Sequence, residues 1–361
     1  MSHRWGLDGV RGIAVLLVVL AHTTTKTLGG GVGVTIFFVL SGFLITSLLL
    51  KELDATGRIN LGSFYARRAL RLFPALLTVL AATPLLMLVT NDPRLHEYPL
   101  WALLTGLYLM DYARAVGLPE TPLGHTWSLG VEEQFYLIWP VALILAFLGL
   151  RRNPRAFIVV VGIITLAAMV WRLLAPSVVS SDWTSYSLDT NAFPLLLGCF
   201  MATLSWAGVR LPSGPAVIWS TLGALAAITC STIAIDAKYM WDYYPMAAAV
   251  IAAFLIPAAS DVSRSFLVAR PLTWLGKVSY ALYLWHFVLL KIEYQGDEPR
   301  SVGLRVALAL TSIALAWASW HAVEKPCLRL KRHFENNRAV LPQNTAGRIR
   351  GRDEVLDNSG S

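Results

Sequence analysis

The sequence predicts an all-α, polytopic membrane fold, and three observations lead to it. Only 14% of the 361 residues are charged and 56% are hydrophobic, against roughly 25% charged in an ordinary soluble domain. Uncharged stretches recur along nearly the whole chain, several of them near or above the ~20 residues that cross a hydrocarbon core as a helix. The basic residues behind the net charge of +8 fall in short blocks between these stretches, a pattern that orients spans and does not grip nucleic acid. Cys199, Cys230 and Cys327 show no CxxC spacing, so neither a disulfide framework nor a zinc site is expected.

Taken in order, candidate spans fall at residues 7–26, 30–50, 72–91, 134–150, 156–173, 190–209, 211–235, 243–260, 271–290 and 304–323. The first follows a basic start, as a secretory signal does, but no small-residue cleavage site comes after it, so it reads as a retained helix. The second is approached through Gly29, Gly30, Gly31 and Gly33 and contains Ser41-Gly42-Phe43. Such small residues let helices pack closely or bend to admit a ligand. Tyr98 to Met110 holds only thirteen uncharged residues, a length for a re-entrant or interfacial segment. The ninth span keeps Lys277 by snorkelling.

Charge bias sets the expected orientation. With ten spans and a cytoplasmic N-terminus, the inside loops hold Lys51, Arg58, Arg67, Arg68 and Arg71, then Arg151, Arg152 and Arg155, then Arg210, then Arg264 and Arg270. The basic tail with Lys325, Arg329, Lys331 and Arg332 is then inside as well, whereas an extra crossing at Tyr98–Met110 puts it outside, against the positive-inside rule. Residues 1–334 form one transmembrane domain in this reading, with both termini cytoplasmic in an inner (plasma) membrane. Residues 335–361 are polar and without periodicity, an expected disordered tail.

Polar residues within the apolar runs mark where chemistry belongs. Arg11 and His22 are eleven positions apart, which puts them within about 20° on one helix face and roughly 16 Å apart along the axis. Arg68 and Arg71, with Arg67, lead a cytoplasmic loop into a helix on one face, where guanidinium forks grip phosphate oxygens or simply anchor the span. His125 through Tyr136 combines a histidine with Trp127 and the adjacent Glu132 and Glu133. Adjacent carboxylates diverge by about 100° on a helix, so at most one is expected to face inward. Two late stripes, Ser279, Tyr283 and His286, then Trp317, His321 and Glu324, recur at helical spacing. They line a cavity or form an aromatic belt with Trp285 and Trp320. No P-loop, GxGxxG, HExxH or GxSxG motif is present.

Six segments in register resemble the acyltransferase-3 family of integral membrane acyltransferases. They are Leu7-Asp8-Gly9-Val10-Arg11 with ten residues before His22, Phe37 to Ile45 around Ser41-Gly42, Phe64 to Arg71, Thr126 to Tyr136, Gly276 to His286, and Val323-Glu324-Lys325-Pro326. The resemblance implies an O-acyltransferase that takes an acyl group, acetyl by expectation, from acyl-CoA as a substrate and not as a permanently bound cofactor. It implies a carbohydrate hydroxyl or cell-surface glycan precursor as acceptor, and His22, Arg11 and the Arg68/Arg71 pair among the functional positions. Many relatives carry an added periplasmic hydrolase-like domain that these 361 residues do not include, so an antibiotic or other secondary metabolite stands as the alternative acceptor.

On this reading Arg67, Arg68 and Arg71 hold the donor's nucleotide, the pantetheine arm passes Arg11, and His22 acts as general base. Ser41, Trp127, Glu132, Glu133, Tyr283, His286 and Glu324 are expected to bind substrate or orient the imidazole. No metal is expected. A transporter is the competing class, and the inverted repeats that would favour it are not detected.

Overall fold

The computed structural model describes residues 4–23, 30–150, 153–231, 243–260, 262, 265–292 and 301–329. The expected tail at 335–361 and Gly29 lie outside the described residues. In chain order the helices are α1 (Trp5–Thr23), α2 (Gly30–Thr56), α3 (Leu61–Val89), α4 (Tyr98–Gly106), α5 (Met110–Ala115), α6 (Trp127–Gly149) and α7 (Pro154–Val178). They continue with α8 (Ser181–Tyr186), α9 (Leu188–Trp206), α10 (Pro215–Ser231), α11 (Tyr244–Ser260), α12 (Arg270–Ile292) and α13 (Val302–Ser319), and no strand occurs among the described residues. All but α4, α5 and α8 coincide with a candidate span.

Local chemistry sets several of these boundaries. Asn60 caps α3 by accepting the Ser63 N–H at 2.9 Å, and Asn153 caps α7 with Pro154 in its first turn. Among the described residues six helices are long and apolar enough to cross a membrane, namely α1, α2, α3, α6, α7 and α13, with α10 and α11 as shorter apolar helices. Leu77, Leu85 and Leu88 of α3, Leu145 and Leu148 of α6, and Ile163 and Leu166 of α7 are exposed. Their outward faces suit contact with lipid hydrocarbon, while α1 and α2 are mostly buried within the bundle.

Contacts across the bundle fix the relative directions of the helices. Ser41 of α2 donates to Glu132 of α6, and Trp139 Nε1, further along α6, donates to Thr46 of α2 at 2.8 Å. Both positions advance together, so α2 and α6 run in the same direction. One full crossing, α3, therefore separates them, and Tyr98–Met110 returns to the side it left. The nine residues of α4 reach only about 14 Å, short of the ~30 Å core. The same logic holds for α1 and α12: Asp8 packs on Gly276 and His22 on His286, so these helices are parallel, as the first and ninth spans of ten must be. Arg94, in the loop after α3, donates to Asp92 at 2.9 and 2.6 Å and to the Lys291 carbonyl at 3.0 Å, tying that loop to the end of α12.

Close helix contacts depend on glycine. A Cβ at Gly42 would strike the Leu195 backbone of α9, one at Gly198 the Val39 backbone of α2, and one at Gly276 the Asp8 backbone of α1. The glycine of Ser41-Gly42-Phe43 thus serves close packing, and α2 runs as one helix from Gly30 to Thr56. The parallel pairing of α1 with α12 sets Arg11 and His22 against the Ser279–His286 stripe.

Candidate active site

Two cavities enter the bundle from opposite ends. The larger, about 630 Å³, has Arg4, Arg11, Arg67, Arg68 and Arg71 in its wall, with Asp8, Glu52, Glu132 and Glu133. The smaller, about 260 Å³, holds His22, His125, Trp127, Arg114, Glu120 and Lys291. Val34 and Tyr283 belong to both walls, so the two spaces abut at Tyr283. A volume of several hundred Å³ is that of an ordinary small-molecule site.

At the arginine end most charges are already matched. Arg68 forks onto the Glu133 carboxylate and lies 3.4 Å above the centre of the Tyr136 ring. Glu132 accepts from Ser41 and from the Tyr136 hydroxyl at 2.5 Å. Arg11 pairs with Asp8 at 3.2 Å and Arg67 with Glu52 at 3.8 Å. Arg71 is exposed to the cavity and forms no hydrogen bond or ion pair with any described residue. Spacing assigns Arg68 and Arg71 one joint role; the fold separates a guanidinium committed to Glu133 from one left available. Arg11 opens onto the larger cavity, roughly three helical turns from the His22 imidazole, the separation that its spacing along α1 requires.

The histidine end is built by α1, α12 and the turn before α6. His22 Nδ1 lies 2.8 Å from the Val18 carbonyl. A carbonyl oxygen only accepts, so Nδ1 carries the proton in the neutral ring and Nε2 presents a lone pair. His286 repeats the device on the Leu282 carbonyl at 3.1 Å, and its ring centre lies 5.2 Å from that of His22. His125 stacks on Phe287 at 4.7 Å and stands 5.6 Å from His286. Both His125 nitrogens and His286 Nε2 are buried without a hydrogen-bond partner among the described residues. Tyr283 has one hydroxyl proton, which it gives to the His125 carbonyl at 2.6 Å. It therefore accepts from Ser128 at 2.7 Å.

Of the residues singled out in the sequence, Arg11, Ser41, Arg67, Arg68, Arg71, Glu132, Glu133 and Tyr283 meet in the larger cavity, and His22, Trp127 and Tyr283 in the smaller. His286 packs on His22 from behind. Glu324 lines neither cavity; it is buried on the π-helical turn Trp320–Glu324, where it accepts from Ser319 at 3.2 Å. The carboxylate expected to orient the imidazole is thus replaced by the Val18 carbonyl, since Glu132, Glu133 and Glu324 bond elsewhere. Trp317 and His321 are exposed and their rings meet at a tilt, 4.7 Å between centres, which fits the aromatic-belt reading of that stripe. Sequence pattern puts little weight on His125 and none on Arg114, Glu120, Tyr186 and Lys291 around the smaller cavity. Lys291 pairs with Glu120 at 2.7 Å and Arg114 donates to Tyr186 at 3.0 Å. No group of three His, Cys, Asp or Glu side chains among the described residues is arranged to hold a metal ion.

Comparison with known proteins identifies the family. A family profile described as an acyltransferase domain matches residues 4–321. A Bacillus subtilis (strain 168) protein assigned as a peptidoglycan O-acetyltransferase is 32% identical over 350 residues, covering 90% of this chain and 55% of its own. The peptidoglycan O-acetyltransferase OatA of Listeria monocytogenes is 32% identical over 309 residues, covering 79% and 49%. A Staphylococcus aureus (strain MSSA476) protein assigned as an O-acetyltransferase is 31% identical over 349 residues, covering 90% and 57%. The chain spans about half the length of these curated relatives. No solved structure matches it. With a family match over nearly its whole length and relatives named as O-acetyltransferases, the chain belongs to the acyltransferase-3 family of membrane enzymes that transfer acyl groups.

Proposed function

We propose that the chain transfers an acyl group, acetyl by analogy with the relatives' names, from acyl-CoA to a hydroxyl of a carbohydrate or cell-surface glycan precursor. The observation that carries this reading is the pair of cavities abutting at Tyr283, one walled by arginines and the other by His22. Acyl-CoA carries several phosphate charges, and Arg71 with its neighbours is where those charges would be matched. The acceptor enters from the His22 side, where Trp127 and Tyr186 offer the flat apolar faces and Glu120 and Arg114 the polar groups that sugar rings pack against. The basic residues Arg58, Arg155, Arg210, Arg270 and Lys325 follow the arginine end, which on the positive-inside rule faces the cytoplasm of a plasma membrane, with both termini on that side.

His22 supplies the base. Its Nε2 lone pair takes the proton of the acceptor hydroxyl as that oxygen attacks the thioester carbonyl. The C–S bond then breaks, and the leaving thiolate takes the proton back from the imidazolium, so CoA–SH departs and His22 is restored. The test is radiolabelled acetyl-CoA supplied to protein in vesicles with three acceptors: a glycan-strand fragment, a neutral oligosaccharide and a hydroxylated antibiotic. Label in either sugar product supports the reading. Label in the antibiotic alone replaces the acceptor class, and absence of any transfer or hydrolysis removes acyl-CoA as donor.

A further inference from the structure

We propose that Tyr108 and Tyr280 form a carbonyl-binding pair in the wall of the larger cavity, which holds amide or thioester carbonyl oxygens of the donor's pantetheine arm. The inference rests on the acyl-CoA reading above and assigns a subsite within it. Tyr108 follows α4 as part of a helix-ending turn in which the Tyr108 N–H donates to the Thr105 carbonyl at 3.1 Å and the Leu109 N–H to the Leu104 carbonyl at 2.8 Å. Such turns need one left-handed residue, and glycine is the usual choice. Here a tyrosine takes that position with φ of 56°. A bulky side chain held at positive φ marks a place where something other than backbone comfort selects the residue.

What the side chain does follows from its surroundings. The Tyr108 ring meets Phe73 edge-on at 6.1 Å, and its backbone carbonyl accepts from Gln134 at 2.7 Å, so ring and backbone each have a fixed contact. Its hydroxyl is nevertheless buried without a partner among the described residues, and so is that of Tyr280. Both residues line the same cavity. Two buried donors without acceptors in one cavity wall await an acceptor from a ligand, because an unmade bond in a dry site is costly.

The level in the fold selects which part of the donor is met. Tyr280 stands one turn beyond Gly276, which packs on Asp8, and one turn before Tyr283, where the histidine cavity begins. Tyr108 abuts Gly130, which lies between Ser128, the partner of Tyr283, and Glu133, the partner of Arg68. Both phenols thus occupy the band between the arginines and the cavity junction. There the extended arm of an acyl-CoA presents uncharged carbonyls, to which a neutral phenol donates without a charge to desolvate.

The experiment compares acetyl-CoA with S-acetylpantetheine, which has the arm and no nucleotide, as donors for the full chain in vesicles. Tyr108→Phe and Tyr280→Phe are each expected to raise KM for both donors about 3- to 10-fold, the usual worth of one neutral hydrogen bond. Tyr108→Gly is expected to raise KM likewise while thermal stability holds or rises, since glycine suits that backbone angle. Arg71→Ala, the control for the parent reading, is expected to raise KM for acetyl-CoA alone. Wild-type KM for both donors in all three tyrosine variants, with Arg71→Ala impaired, overturns the pair and leaves the donor reading standing. Failure of the wild type to use either donor overturns both.

Discussion

Replacing Arg71 by alanine is expected to weaken the donor without weakening the fold. Arg71 faces the larger cavity and has no bonded partner among the described residues, so its removal strands no carboxylate. A hydrogen bond from a guanidinium to an ionised oxygen is worth ~1.5–3 kcal/mol, or roughly 10- to 150-fold in donor affinity. Arg68 is the contrast. Its loss leaves Glu133 charged, half-buried and unpaired and uncovers the Tyr136 ring, so Arg68→Ala is expected to lower both the melting temperature and the yield of folded protein. The assay is equilibrium binding of radiolabelled acetyl-CoA to detergent-purified protein beside a thermal melt of each variant. Wild-type affinity in folded Arg71→Ala would refute the reasoning, as would an undisturbed melt for Arg68→Ala.

Four further outcomes follow from the packing and the topology. Gly276→Ala drives a Cβ into the Asp8 backbone and is expected to cost ~1–3 kcal/mol and to impair transfer by shifting α1 on α12. Gly223→Ala on α10 meets nothing within contact range and is expected to be neutral or stabilising by up to ~1 kcal/mol in the same melt. With the exposed Cys230 and the partly exposed Cys327 replaced, single cysteines at Arg58, Arg155 and Arg329 are expected to share one accessibility to an impermeant thiol reagent in intact cells. Cysteines at His96 and Ser180 are expected to show the opposite one. Tyr283→Phe removes the bond to the His125 carbonyl at the cavity junction and is expected to lower kcat more than donor KM, read by steady-state kinetics.

The long apolar helices were legible because length and charge spacing encode them directly. Each candidate span is matched by a helix, and the charge bias that excluded Tyr98–Met110 as a crossing agrees with the parallel run of α2 and α6. The turn that ends α4 was not legible, since Tyr108 stands where a glycine would have signalled it. The pairing of Arg68 with Glu133 joins residues 65 positions apart, and no local pattern states which carboxylate a guanidinium will find. His125 is likewise brought to His286 by tertiary packing alone. Helical spacing did place Ser279, Tyr283 and His286 on one inward face. For Trp317 and His321 the same spacing left cavity and belt open, because it fixes which residues share a face but not whether that face turns to the cavity or to lipid.

The central claim is that His22 is the base of an acyl transfer fed from the arginine end, and His22→Gln tests it most directly. Glutamine keeps a donor for the Val18 carbonyl and much of the side chain's size but offers no lone pair that takes a proton near neutral pH. Single-turnover transfer from radiolabelled acetyl-CoA, measured beside equilibrium donor binding, is expected to fall by ~10²–10⁴-fold with donor affinity unchanged. Folded His22→Gln protein that transfers at the wild-type rate would contradict the account.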